Sequence, residues 1–192
     1  MPGRADPVLP RRALLAALVA PAGAPGLLGR VMAALAAVPH RRALFTETKT
    51  LAALAAPLRS SGRLGYDRPD RFDKVTNWPR SEVLSVHGAR LSLRLDGGPA
   101  RRIDLTQEPA IGGLVAAILG TLSGNLALLR HWYHARMTGT AAAWILVLTP
   151  RDAALARLLA RVTITGSGGT VAVMRTVAAN GDRSVMTIQS GL

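Results

Sequence analysis

Arg90-Leu91-Ser92-Leu93-Arg94-Leu95-Asp96-Gly97-Gly98 is the run that decides the fold class. Leucine recurs at every second position with Arg or Ser between, and successive side chains of a strand point to opposite faces. A strand with one apolar and one polar face is half-buried, and Asp96-Gly97-Gly98 supplies the turn to an antiparallel neighbour. That neighbour starts at Arg102, where Ile103 and Leu105 alternate with Arg102 and Asp104. On the other side, Gly88 after His87 marks the hairpin back to Val83-Leu84-Ser85-Val86.

Further strands are predicted at residues 131–136, 141–148, 162–165, 170–178 and 183–189, with turns at 166–169 and Asn180-Gly181-Asp182. Three segments break the pattern. Residues 27–38 place Leu28, Val31, Leu35 and Val38 at helical spacing, and Pro39 stops the run. Residues 111–122 carry Ile111, Leu114, Val115, Ile118, Leu119 and Leu122 on a broad apolar helical face. Pro109 precedes that helix and Ser123-Gly124-Asn125 closes it. A short helix is expected over 126–130, and 150–160 reads as a helical turn or an irregular crossover. No long repeat or linker appears, so the chain reads as one mainly β (α+β) domain, a large antiparallel sheet with a few helices.

The first residues read differently. Arg4, Arg11 and Arg12 precede the apolar run 13–20, followed by Pro21-Ala22-Gly23-Ala24. A basic start, a short apolar stretch and a small-residue exit make a secretory signal peptide. The run falls short of the roughly 20 apolar residues that span a bilayer. Cleavage at Ala20-Pro21-Ala22 divides the chain into a signal peptide at 1–22 and a domain at 23–192; the alternative is a buried N-terminal helix. Cysteine is absent, so the exported protein has no disulfide, no thiolate metal site and no lipid-attachment point, and is expected to be soluble.

The 192 residues are 49% apolar but only 4% aromatic, so the apolar surface is mostly Ala, Leu and Val. Formal charge is +13, and of 24 basic residues only Lys49 and Lys74 are lysine. The arginines stand singly or in pairs without interleaved aromatics, so nucleic acid is not an expected partner. A positive field favours anionic surfaces such as acidic phospholipid.

No catalytic constellation stands out. His131 and His134 are three apart on a predicted strand and so face opposite sides, which argues against a metal site. His40 and His87 fall at element ends and are expected to be solvated. Ser60, Ser61 and Ser123 have no nucleophile-elbow setting. Gly166-Ser167-Gly168-Gly169 joins two strands rather than opening a helix, as a phosphate loop would. Asp67, Asp70 and Asp73 lie in an Arg-rich turn where ion pairing is the ordinary explanation.

Across residues 45–189 the chain resembles the outer-membrane lipoprotein carrier (LolA) family. The likeness begins at Ala43-Leu44-Phe45-Thr46-Glu47-Thr48 after the first helix. It is densest at Gly62-Arg63-Leu64-Gly65-Tyr66-Asp67-Arg68-Pro69-Asp70-Arg71-Phe72, similar to the family's Gly-x-Leu-x-hydrophobic-x-Arg-Pro-x-x-Phe hairpin. Val83-Leu84-Ser85-Val86-His87-Gly88 with Leu91 and Leu93 follows, then Leu122-Ser123-Gly124-Asn125 and Trp144-Ile145-Leu146-Val147-Leu148-Thr149-Pro150, in the family's order.

The resemblance implies a strongly curved antiparallel sheet forming an incomplete barrel, with helices as a lid over an apolar concave face. It implies a periplasmic, non-enzymatic, cofactor-free monomer that shields acyl chains between an inner-membrane donor complex and an outer-membrane acceptor, with peripheral membrane contact. The need is physical: exposing an acyl chain to water costs about 0.8 kcal/mol per methylene. Leu91, Leu93 and Leu95 on the sheet and Leu114 and Ile118 on the lid are expected to face the acyl chains, joined by Tyr66, Phe72, Trp144 and Leu146. Arg68, stiffened by Pro69, is expected near the cavity mouth, holding lid carbonyls or a lipid phosphate and governing transfer; the alternative is a surface pair with Asp67 or Asp70.

Three departures leave the cargo open between a lipoprotein and another acylated product. Lys74 stands where relatives often carry an aromatic, His87 replaces the usual turn Asp, and the Phe-x-Phe-x-x-Pro-x-Gly tail does not follow the last strand. An envelope lipid sensor of the same fold is the rival reading.

Overall fold

The computed structural model describes residues 26–190; the expected leader at 1–22 lies outside them. Helix α1 (Leu27–Ala36) leads into β1 (His40–Thr50), β2 (Leu58–Asp67), β3 (Arg71–Trp78), β4 (Glu82–His87), β5 (Arg90–Leu95) and β6 (Arg101–Asp104). Helices α2 (Pro109–Leu122) and α3 (Leu126–Trp132) interrupt the sheet. The second run is β7 (Tyr133–Thr140), β8 (Ala143–Pro150), α4 (Ala153–Ala156), β9 (Leu159–Ser167), β10 (Thr170–Ala178) and β11 (Arg183–Ser190).

All eleven strands form one antiparallel sheet in the order β6-β5-β4-β3-β2-β1-β11-β10-β9-β8-β7. Strand β1 joins the halves, pairing β2 on one side and β11 on the other. The edge strands β6 and β7 do not pair, so the curved sheet stays open, as expected of an incomplete barrel. At Gly62 the β2–β3 register shifts, and a Cβ there would lie 1.9 Å from the Val75 carbonyl oxygen, so only glycine fits.

One expected boundary is corrected. His131 lies in the last turn of α3 instead of opening a strand, because the Asn125 side chain caps that helix, accepting from the Leu128 amide at 2.9 Å, and Leu129 anchors it in the core. The strand begins at Tyr133, whose backbone is extended. His131 and His134 thus sit on different elements, and among the described residues no group of three or more His, Asp or Glu is placed to hold a metal.

Apolar faces pack in two clusters. Val31 and Leu35 of α1, Leu129 of α3 and Leu155 of α4 cover Leu146 and Ile164. Leu119 of α2 covers Tyr66, Phe72, Val86 and Leu91. Each such side chain, fully buried, contributes about 1.5–3 kcal/mol. The helices meet where Gly124, at φ +64, would place a Cβ 2.1 Å from the Met32 carbonyl oxygen. Between the clusters a space stays unfilled over the central strands.

Candidate functional site

Alternation along β1 turns Ala43, Phe45 and Glu47 inward, while Leu44 and Thr46 face out. The register sets Tyr66 beside Arg41 and Leu64 beside Ala43 on β2, then Phe72 and Lys74 on β3. On β11, Ile188 and Met186 stand beside Phe45 and Glu47. Leu114, Ile118 and Leu122 of α2 roof the space. The result is a mainly apolar cavity of about 540 Å³, well inside the size range of ligand pockets.

The two ends differ in character. One, lined by Val38, His40, Arg41, Arg42 and Thr170, lies beside the C-terminal end of α1. It is open: the His40 and Arg42 side chains are 72% and 53% exposed. Both bond Asp67, His40 at 2.9 Å and Arg42 at 3.0 Å, and these hydrogen bonds, led by that of His40, hold the Asp67 carboxyl below its ordinary range. Arg68 donates to the Ala36 carbonyl at 2.8 Å, and Arg41 donates to the carbonyls of Leu35, at 2.8 Å, and Gly169. Two guanidiniums thus hold the last carbonyls of α1, where orphaned acceptors and the helix dipole favour positive charge. Burial lowers the Arg41 pKa, and its Nε has no hydrogen-bond partner among the described residues.

The other end is charged, and Lys74 there lines both the main cavity and a neighbouring cleft. Six residues further along β1, about 20 Å away at strand rise, Glu47 is 6% exposed and its Oε2 accepts from the Lys74 ammonium at 2.6 Å. Oε1 accepts from the Ser184 hydroxyl at 2.6 Å. Burial pushes the Glu47 carboxyl up, but Lys74, Ser184 and Lys49 together carry it below the usual carboxylate value. Beyond Lys74 lies a smaller cleft of about 370 Å³, lined in part by Lys49, Arg59, Arg80 and Leu95.

An open antiparallel sheet with helices over an apolar cavity is the arrangement that the resemblance implied. Residues 21–191 match the family described as outer membrane lipoprotein carrier protein LolA-like. The chain belongs to that family. No curated protein matches it. Among solved structures, a LolA superfamily protein from Nitrosomonas europaea is similar at 12% identity and TM-score 0.42, over 84% of this chain and 90% of that one. A putative outer membrane lipoprotein-sorting protein domain from Vibrio parahaemolyticus is similar at 10% identity and TM-score 0.47, over 86% and 92%. The MucA/MucB complex of Pseudomonas aeruginosa contains a chain similar at 16% identity and TM-score 0.37, over 86% of this chain and 57% of that one. Family membership rests on the match over 21–191 and not on these likenesses.

The expected acyl-contacting residues of this LolA-like chain separate into three groups. Tyr66, Phe72, Leu114 and Ile118 line the main cavity. Leu91 and Leu93 pack in the cluster under α2, while Trp144 and Leu146, 1% and 0% exposed, lie in the other core cluster. Leu95 is 54% exposed and lines the smaller cleft. Arg68 is bonded to α1 and makes no ion pair with Asp67 or Asp70. Arg41, Glu47 and Ser184 escaped the sequence reading; their only signals were an arginine pair and a Glu in an alternating run.

Proposed function

We propose that this LolA-like protein carries acyl-bearing cargo, a lipoprotein or a related acylated product, across the periplasm from an inner-membrane donor complex to an outer-membrane acceptor. The observation that carries the reading is the apolar cavity of about 540 Å³ between the sheet and α2. Tyr66, Phe72, Leu114 and Ile118 would meet the chains, and apolar burial alone drives loading. The chemistry is exchange between apolar environments, with no bond made or broken and no cofactor, by a monomer that touches membrane surfaces peripherally. The net positive charge of the chain favours that contact with anionic lipid.

The test is transfer. Protein is incubated with donor vesicles holding a fluorescent acylated lipopeptide, separated by flotation, then mixed with acceptor vesicles. The expected result is label leaving with the protein at near one-to-one stoichiometry and passing on to the acceptor. Label that stays with the donor contradicts the carrier role. Label that binds but never passes on favours a lipid sensor.

A further inference from the structure

The Glu47–Lys74–Ser184 cluster is expensive to keep in an apolar cavity. Desolvating two charges costs several kcal/mol each, and well-packed apolar residues in place of a buried pair are often neutral or stabilising. The fold around it does not call for charge. Lys74 stands between Leu64 on β2 and Leu84 on β4, and Glu47 lies beside Met186. All three of those apolar neighbours line the same cavity.

The cluster is also incompletely satisfied. Glu47 uses both oxygens, one on Lys74 and one on Ser184. An ammonium has three N–H donors. Lys74 gives one to Glu47 and rests over the Phe45 ring, 5.0 Å from its centroid, and no second acceptor for it stands among the described residues. With a side chain only 13% exposed, it meets little water yet lines the cavity.

We propose that Lys74, held by Glu47, is a recognition site for the inserted end of the cargo, selecting chains that end in a hydrogen-bond acceptor such as a hydroxyl over chains that end in a methyl group. The proposal rests on the carrier reading above and deepens it. A methyl end pushed against the ammonium strips its remaining water and returns nothing. An oxygen at the chain end accepts the spare donors in a low-dielectric site, where a bond to a charged group is strong. Glu47 anchors Lys74 and offsets its charge, while Lys49, 3.8 Å from the same Glu47 oxygen, is solvent-exposed. An uncharged acceptor therefore suffices for the incoming group.

The probe ligands are palmitoyl-lysophosphatidylcholine and its ω-hydroxypalmitoyl counterpart. Their zwitterionic headgroup is poorly suited to the apolar cavity, so it is the chain end that reaches Lys74. Each is titrated against protein loaded with the neutral apolar dye N-phenyl-1-naphthylamine. In the wild type, the hydroxylated ligand is expected to displace dye at about tenfold lower concentration. In Glu47→Gln/Lys74→Met, which removes both charges together, the preference is expected to vanish while the plain ligand binds at least as well. Equal displacement by both ligands in the wild type, or a preference that survives in the double variant, overturns the proposal. If the double variant does not fold, the wild-type comparison alone decides. If neither ligand displaces the dye and the dye itself does not bind, the carrier reading falls and this proposal with it.

Discussion

The Arg68 guanidinium donates to the carbonyl of Ala36, the last residue of α1, at 2.8 Å. Cargo whose loading displaces α1 has to break this bond, so the bond opposes loading. Weakening a state that competes with the loaded one raises apparent affinity for cargo. Arg68→Leu is therefore expected to leave folding and loading intact and to slow release to an acceptor, by roughly three- to tenfold for a charge-assisted bond at a partly exposed site. Two-step transfer between donor and acceptor vesicles measures it. Release at the wild-type rate would reduce the bond to a surface contact.

Arg41 ties the same helix end more deeply, reaching Leu35 and Gly169 together. Arg41→Gln leaves two carbonyls without their donor and is expected to cost about 1–3 kcal/mol of stability. Hydrogen exchange is expected to quicken in α1 before the sheet is affected. Unchanged α1 protection would show that packing of Val31 and Leu35 alone holds the helix.

Cavity lining and core are separable by mutation. Ile118 borders open space, whereas Leu146 is 0% exposed in the core. Ile118→Glu is expected to abolish dye binding with the circular dichroism largely retained. Leu146→Ala is expected to cost about 2–5 kcal/mol by leaving a cavity while dye still binds the folded fraction. Reversed behaviour would move the binding surface away from α2.

The strands and α2 were legible in the sequence because periods of two and of 3.6 are local properties. Leu91, Leu93 and Leu95 share one phase and hence one face of β5, but the cover of α2 does not extend to Leu95, which ends exposed at the rim. Which inward residues meet a cavity and which meet core depends on where helices land, and no single segment encodes that. Lys74 stood out in the sequence only as a departure from the family pattern. Its partner, 27 residues away, sits in Thr46-Glu47-Thr48-Lys49, a run whose polarity resembles a solvated edge. Only the β1–β2–β3 register brings the two charges together.

The same pair makes stability depend on pH. The folded pKa of Glu47 is lowered, so its stabilising contribution is fully present above the unfolded value, about 4.3, and is lost as pH falls through the folded pKa. Urea midpoints of the wild type are expected to fall more steeply below about pH 5 than those of Glu47→Gln/Lys74→Met. Parallel profiles would show that the pair contributes no net pH-dependent stability.

Native mass spectrometry of the protein purified from its own cell envelope tests the carrier role most directly. The expected spectrum shows a second species, heavier by the mass of an acyl-bearing molecule, that is lost in Ile118→Glu and released on mixing with acceptor vesicles. A single ligand-free mass, from protein that also fails to load from acyl-bearing vesicles, would contradict the account.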